Sequence, residues 1–345
     1  MRRIALPSWL PLDPFVLTLL AVVGLAALLP ASGVAETVVS DASKVAIGLL
    51  FFLYGARLST REALDGLRNW KLHLFVVAST FVLFPLLGLA ARGLVPWLLT
   101  EQLYTGFLFL CLVPSTIQSS IAFTSIARGN VPAAICAGTY SALLGMVLTP
   151  LLVAWFIGSE ADFSADGLLG IGTQLLAPFI AGQLLRRWIG GFIKRHRRVL
   201  GYVDRSSILL VVYTAFSEGM NQGIWSKVTP LRLLALAAVL GVLLAVVLLF
   251  TSTVSRRMGF SREDRVAIVF AGSKKSLANG LPMAAVLFGS AASITILPLM
   301  LFHQLQLIVC AVIAKRWART APEESEAVTA GADRASRSSS SAGRA

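Results

Sequence analysis

Apolar stretches long enough to cross a lipid bilayer follow one another along almost the whole chain. Ten of them are delimited by polar or charged residues, at about 14–31, 42–58, 72–95, 103–127, 131–158, 167–188, 206–223, 231–254, 263–288 and 291–314. A helix needs about 20 mainly apolar residues to cross the hydrocarbon core, so ten helices leave no length for a second, soluble domain. The pattern predicts an all-α, multi-pass membrane domain over residues 1–318, followed by a disordered cytoplasmic tail over 319–345.

The basic residues are distributed very unevenly between the two sides of this predicted membrane domain. If the N-terminus is cytoplasmic, 24 of the 30 basic residues fall in cytoplasmic segments and three fall outside. The three outside are Arg92, Lys227 and Arg232, and the remaining three, Lys44, Lys274 and Lys275, lie within stretches. This asymmetry predicts that both termini are cytoplasmic, in an inner or plasma membrane of bacterial type. Alternatively, the first stretch is a cleaved signal peptide, because Arg2 and Arg3 precede it.

The composition excludes a water-soluble protein and most enzyme classes. Hydrophobic residues make up 56% of the chain and charged residues 14%, against roughly 25% charged in soluble domains. The net charge of +13 is placed in cytoplasmic loops, so the expected partners are the lipid bilayer and a small solute, not nucleic acid. No phosphate-binding loop, HExxH motif, intramembrane aspartate pair or nucleophile elbow is present, so neither an enzyme nor a cofactor is predicted. The oligomeric state is left undetermined.

Ten helices divide into two sets of five, and five is an odd number. A duplicated half must therefore insert upside down relative to the first, as in the inverted-repeat transporters. The sequence predicts one repeat over about 12–158 and the other over about 167–318. In such folds the binding site lies between the repeats, where helices break near the middle of the membrane.

Polar residues interrupt the fourth and ninth stretches at corresponding places, about 100 and 107 residues after each half begins. The fourth stretch contains Pro114, Ser115, Thr116, Gln118, Ser119 and Ser120, and the ninth contains Gly272, Ser273, Lys274, Lys275, Ser276, Asn279 and Pro282. Backbone that leaves a helix inside the bilayer needs hydrogen bonds from side chains, water or a ligand. A single such segment is as well explained by an ordinary proline kink. The matching pair predicts a substrate or ion site built from these polar side chains.

Two adjacent lysines are the most unusual feature of the ninth stretch. Lys274 lies nine residues from Arg265, or about 13 Å into a hydrocarbon core about 30 Å thick. A lysine at this depth should be paired or face a water-filled cavity, unless both lysines extend to the cytoplasmic surface. Neighbouring residues of a helix point about 100° apart, so the sequence leaves open which lysine faces the cavity.

Four further polar residues within stretches have weaker claims to a place in the site. Glu218 is predicted to be an ion-pair partner for a lysine or a proton carrier, and a place at the outer interface is an equal alternative. His303, Gln304 and Gln306 lie in the tenth stretch, where hydrogen bonding between helices is the alternative to solute binding.

Five segments resemble a known family. They are IGLLFFLYGARLS, LVPSTIQSSIAFTSIARGN, ILLVVYTAFSEG, VFAGSKKSLANGLPMA and LPLMLFHQLQLIVCAV. Over about residues 12–318 the chain resembles the bile acid:sodium symporter superfamily, in particular its sodium-bile-acid-symporter-like branch. The resemblance implies ten helices in a panel and a core domain, with the fourth and ninth broken and crossing. It also implies secondary active transport of a small organic anion by alternating access.

The resemblance also shows where this chain departs from sodium-coupled members. Aligned on Gly272, the chain has Phe270, Lys274 and Lys275 where those members have the Glu, Gln and Asn that help hold sodium. Ser119 or Ser120 falls near the family's Ser-Asn pair. A sodium ion bound near these serines is therefore kept as an alternative. A fixed ammonium repels a second cation. We therefore hypothesise that the ammonium of Lys274 or Lys275 replaces the bound sodium ion and attracts an anionic substrate. Coupling to Na⁺, to H⁺ or to no ion stays open, and the alternative function is a non-transporting regulator of ion entry or lipid-linked metabolism.

Overall fold

The computed structural model describes residues 14–57, 69–158, 172–223 and 229–320, and throughout these ranges the regular structure is helical. We number the helices α1 to α10 in chain order, and the two halves of an interrupted helix share a number. They are α1 Pro14–Leu28, α2 Val34–Arg57, α3 Trp70–Leu94, α4a Glu101–Leu112, α4b Ile117–Ile126, α5 Val131–Ile157, α6 Ala177–Arg195, α7 Arg197–Asn221, α8 Pro230–Arg257, α9a Arg262–Gly272, α9b Leu277–Phe288 and α10 Leu297–Arg319. All but two residues of the predicted tail lie outside the described residues.

The prediction of a multi-pass membrane protein is confirmed. In the described ranges six helices are long and apolar enough to span a bilayer: α2, α3, α5, α7, α8, and α10 with the short helix that precedes it. The bent pair α4a and α4b makes a seventh candidate span. The other helices lack the necessary length or apolar character. Among the described residues α1 is short, α6 ends in basic residues and α9 carries two lysines at its break. The number ten and the inversion of the halves therefore stay predictions.

The helices pack in two groups. Helix α2 packs closely along α6, and both α1 and α2 pack on α7. Helices α3, α4, α5, α8, α9 and α10 surround the interruptions of α4 and α9, and α7 also packs on α9b. Helices one and two thus group with helices six and seven, their counterparts if the chain divides into two five-helix halves.

Glycines allow the close contact between α2 and α6. A Cβ atom on Gly55 would overlap the carbonyl oxygen of Phe179, and a Cβ atom on Gly182 would overlap the carbonyl oxygen of Phe52. Small residues let helix backbones approach in this way in membrane proteins, where water does not drive association. At the last residue of α2, Arg57 forms an ion pair with Asp204 of α7.

Candidate functional site

Both predicted interruptions are breaks in the structure, and they lie against each other. The chain is unwound at residues 113–116 between α4a and α4b, which meet at 64°, and at residues 273–276 between α9a and α9b. The Ser276 N–H donates to the Pro114 carbonyl oxygen at 2.8 Å, and the Thr116 hydroxyl donates to the Lys275 carbonyl oxygen at 2.8 Å. Backbone left unpaired by one break is thus bonded by the other.

Hydroxyl groups from α3 and α4 satisfy the last carbonyl groups of α9a. These carbonyl groups have no partner within their own helix because the helix stops at Gly272. Ser120 donates to the oxygen of Phe270 at 3.0 Å, Ser115 to that of Ala271 at 2.5 Å and Ser79 to that of Gly272 at 2.8 Å. The serines of the fourth stretch therefore bind protein backbone in this conformation.

The carbonyl groups at the end of α4a are satisfied by a lysine instead. The Lys275 ammonium donates to the carbonyl oxygens of Cys111 and Val113, both at 2.8 Å, and the Thr149 hydroxyl covers Leu112 between them. A positive charge here is also favoured by the negative end of the α4a dipole. Lys275 is fully buried, and the ring of Phe84 lies 4.1 Å from its Nζ atom.

The third proton of the Lys275 ammonium goes to a carbonyl group that α3 leaves free. Helix α3 contains a π-helical turn, Ser79–Leu83, in which the Phe84 N–H bonds Ser79. The next donor in this pattern would be Pro85, which has no N–H, so the Thr80 carbonyl oxygen lacks a partner within its helix. The Lys275 Nζ atom lies 3.0 Å from it. An ammonium has three donors, and here all three are used.

The neighbouring lysine has a different environment. Lys274 is also fully buried, but its Nζ atom has no hydrogen-bond partner within the described part of the chain. It lies 3.8 Å from the centre of the Phe123 ring and 5.7 Å from that of Phe270. Neither lysine reaches the protein surface, and they differ because the Lys275 ammonium has a set of acceptors, whereas the Lys274 ammonium faces two aromatic rings and lies near Cys310.

Equivalent groups from the following helices hold the two breaks. The Ser115 N–H donates to the Ser141 hydroxyl of α5 at 2.9 Å, and the Lys275 N–H donates to the Gln306 Oε1 atom of α10 at 3.0 Å. Ser115 directly precedes Thr116, the N-cap residue of α4b, and Lys275 directly precedes Ser276, the N-cap residue of α9b. The two breaks are thus built alike.

Gln306 uses its whole amide group in this arrangement. Besides accepting from the Lys275 N–H, its Nε2 atom donates to the Lys275 carbonyl oxygen at 3.0 Å and to Nδ1 of His303 at 2.9 Å. Its neighbour Gln304, by contrast, has a buried amide whose oxygen and nitrogen are both unbonded among the described residues.

We expect Gln306→Leu to lower the free energy of unfolding by about 1–3 kcal/mol, because it leaves the buried Lys275 N–H without an acceptor. The matched control is Gln304→Leu, which removes an amide that has no hydrogen bond among the described residues and should change stability by less than about 0.5 kcal/mol or raise it. Denaturation of the purified proteins in mixed micelles by added SDS measures both. Equal losses in the two variants would contradict the assignment.

The remaining predicted residues lie around this centre with fewer bonds. Ser273 donates to the Val269 carbonyl oxygen at 2.6 Å, and the Ser276 hydroxyl caps α9b by accepting the Asn279 N–H at 3.2 Å. Gln118 is exposed, and the buried Ser119 hydroxyl has no hydrogen-bond partner among the described residues.

Glu218 lies in the last turn of α7, and the charges that act on its half-buried carboxyl group belong to Glu36 and Lys44 of α2. No ion pair joins it to Lys274 or Lys275 in the described ranges.

Several residues of this centre were not among the predicted residues: Ser79, Thr80, Phe84, Phe123 and Ser141. The Ser79-Thr80 pair followed by Pro85 within an apolar stretch was an available signal, because proline frees a carbonyl group one turn earlier. No comparable signal marks Phe123, since a phenylalanine in an apolar stretch is the ordinary case.

Helices that cross a bilayer, and two that break against each other around buried polar groups, define a polytopic membrane protein of the transporter class. The SBF-like CPA transporter family model matches residues 13–319, and the chain belongs to this family. The predicted family resemblance is thereby confirmed, as is the prediction that the chain is not an enzyme.

Named relatives agree with this family. The chain is 55% identical over 316 residues to "Uncharacterized protein PA2026" of Pseudomonas aeruginosa, covering 91% of this chain and 95% of the relative. It is 47% identical over 326 residues to "Putative symporter YfeH" of Escherichia coli, covering 94% and 98%. It is 30% identical over 283 residues to "Sodium/bile acid cotransporter 7" of Xenopus tropicalis, covering 79% and 82%.

Proposed function

We propose that the chain is a secondary active transporter that moves a small organic anion across the membrane by alternating access. The observation that carries this proposal is the contact between the two breaks, whose unwound residues bond each other in place of helical partners. In secondary transporters, discontinuous helices near the midplane form the substrate site. The choice of an organic anion rests on the buried lysines and on relatives whose names refer to symport and to bile acid.

The same proposal includes ten spans arranged as two inverted five-helix repeats. It is supported by the similar structure of the two breaks, in which Ser141 and Gln306 each accept a hydrogen bond from the backbone N–H of an unwound residue. The grouping of α1 and α2 with α6 and α7 agrees with it. The proposal also includes cytoplasmic termini, which the distribution of basic residues supports, and a plasma membrane of bacterial type.

We further propose that transport needs no sodium ion, because Lys275 takes the place of one. Backbone carbonyl oxygens are typical ligands of a hard cation, and the carbonyl oxygens of Thr80, Cys111 and Val113 all bind the Lys275 ammonium. A second cation close to this ammonium would be repelled. Of the two serines considered for sodium, Ser120 has a single O–H, which lies within hydrogen-bond distance of the Thr116 and Phe270 carbonyl oxygens, and the Ser119 hydroxyl is unbonded among the described residues. The residues present therefore do not fit a sodium site.

Uptake into proteoliposomes tests the transport function and its coupling together. We expect radiolabelled bile acids or smaller organic carboxylates to enter equally with an inward sodium gradient and with potassium in its place. An imposed pH gradient, applied separately, shows whether protons drive uptake. Lys44→Ala, which removes an exposed lysine paired with Asp41, is the matched control for lysine variants.

Sodium-dependent uptake that survives both Lys274→Ala and Lys275→Ala would contradict the replacement of sodium by lysine. A folded protein that takes up none of these anions would instead favour the alternative of a non-transporting membrane regulator.

A further inference from the structure

Lys274 and Lys275 are adjacent, equally buried and chemically identical, yet only one has its bonding capacity filled. The Lys275 ammonium is bonded to three carbonyl oxygens, so it has no donor left for a ligand. The Lys274 ammonium has three donors and no acceptor among the described residues. A buried polar group without a partner is unfavourable, and in native proteins it often marks a place where a ligand or an ion binds.

The aromatic rings around Lys274 account for its position in this conformation but not for its presence. A cation over the face of an aromatic ring is attracted to it, and Phe123 provides such a face at 3.8 Å. An apolar side chain would fill this space without the penalty of a buried amine. The rings therefore do not explain why a lysine occupies this position.

A second unbonded donor lies on the same face of α4b as Phe123. The Ser119 hydroxyl is buried and has no hydrogen-bond partner among the described residues. Ser119 and Phe123 are four residues apart, so they lie one above the other on the helix. An ammonium over the Phe123 ring and a hydroxyl group one turn away on the same face of α4b are a suitable pair of donors for an oxyanion.

Phe123 is itself partly exposed, whereas the Lys274 side chain against its ring is fully buried. Gln118 and Ala122 of α4b are exposed, whereas Phe123 is half-buried with its ring over the Lys274 Nζ atom. Of the two rings near the ammonium, Phe123 is the partly exposed one and Phe270 is fully buried, so Phe123 is the ring whose rotation would open a path to it. Phe84 covers Lys275 in a similar way, but there the carbonyl groups would still hold the ammonium.

We propose that Phe123 is an aromatic gate over Lys274, and that the Lys274 ammonium and the Ser119 hydroxyl bind the carboxylate or sulfonate group of the solute when this ring moves aside. Lys275 has a separate role as the fixed cation that joins α3, α4a and α9. This inference rests on the proposed function for the identity of the ligand. The gate itself is a property of the protein alone and is testable without a transported solute.

Acylation of lysine amines with a water-soluble sulfosuccinimidyl acetate, analysed by mass spectrometry, tests the gate on the purified full-length protein. In Phe123→Ala we expect the rate of acetylation of Lys274 to rise by about tenfold or more over the unsubstituted protein, as expected when a protected site opens. Lys275 should stay unmodified in the same sample. The matched control is Phe84→Ala, which removes the ring over Lys275 and should leave both buried lysines unmodified.

Binding of an anion is tested in the same Phe123→Ala protein. Sodium benzoate or benzenesulfonate should slow the acetylation of Lys274, whereas sodium chloride at equal ionic strength should not. Adding Ser119→Ala should weaken this protection. Protection with no uptake in proteoliposomes would leave the anion site standing and contradict the transport function alone.

Three results would overturn the inference. The first is a Lys274 that stays unmodified in Phe123→Ala, and the second is equal modification of Lys274 and Lys275. The third is modification that benzoate and benzenesulfonate do not slow. Size-exclusion chromatography identifies a misfolded variant. If Phe123→Ala is misfolded, Phe123→Leu, which keeps a shorter apolar side chain, is used in its place. Its expected rate of Lys274 acetylation lies between those of the unsubstituted protein and Phe123→Ala.

Discussion

Lys275→Met is expected to lower the free energy of unfolding by at least about 3 kcal/mol, because it leaves three buried carbonyl groups without a donor. These are the carbonyl groups of Thr80, Cys111 and Val113, which lie on α3 and at the end of α4a. Methionine is close to lysine in length and apolar, so the change removes the hydrogen bonds with little change in packing. Denaturation of the purified protein in mixed micelles by added SDS is the measurement.

The same substitution at the neighbouring position is expected to have the opposite or no effect on stability. Lys274 makes no hydrogen bond through its ammonium, so Lys274→Met leaves no acceptor unpaired among the described residues. It also removes a buried amine whose charge is unfavourable in an apolar environment. We therefore expect unchanged or higher stability together with the loss of anion uptake.

Comparison of these two variants is informative because they change the same atoms at adjacent positions. If Lys274→Met is as destabilising as Lys275→Met, the lysines do not have the separate roles assigned to them. A stable Lys275→Met protein would show that the three carbonyl groups find other donors, which would remove the reason for regarding Lys275 as a fixed cation.

Gly55→Ala and Gly182→Ala are each expected to destabilise the protein by about 3 kcal/mol, at the upper end of the range for overpacked sites. In both cases the new methyl group would overlap a backbone carbonyl oxygen of the facing helix, that of Phe179 or that of Phe52. Backbone cannot move aside as a flexible side chain does, so α2 and α6 would have to separate. The same SDS titration measures the change.

Two other glycines of these helices serve as matched controls. A Cβ atom on Gly191 of α6 would meet nothing within 4 Å, and one on Gly48 of α2 would lie 3.9 Å from the Pro178 side chain. Alanine at these positions should be neutral or slightly stabilising, because alanine is the better helix former. Equal effects at all four glycines would show that helix propensity, not the contact between α2 and α6, dominates.

The glycine and lysine variants test two different properties, the packing between helices and the bonding at the breaks. The glycines act where α2 and α6 touch, and the lysines act where α3, α4 and α9 meet. A transporter that works by alternating access needs both a rigid framework and a centre whose bonds change. Loss of uptake in Lys274→Met without loss of stability would place the solute at that centre.

The sequence by itself determined the class of the protein and the two places where its helices break. Apolar stretches of sufficient length predict membrane helices because hydrocarbon satisfies no backbone hydrogen bonds, and this holds for any arrangement of the helices. Pro114, together with the polar residues around it, predicts the break in α4 because proline has no N–H to donate. The serines and lysines at both breaks were recognisable as candidates for the same reason.

Only the tertiary structure decided what each of these residues bonds. The sequence places Lys274 and Lys275 side by side, and nothing in their spacing distinguishes them. The carbonyl groups that bind Lys275 are 195, 164 and 162 residues away along the chain, and one of them is free only because α3 contains a π-helical turn. The ring of Phe123 that covers Lys274 belongs to α4b and reaches it only through the packing of α4 on α9. Hydrophobic pattern determines where a chain enters the membrane, but partners this distant depend on how the helices pack.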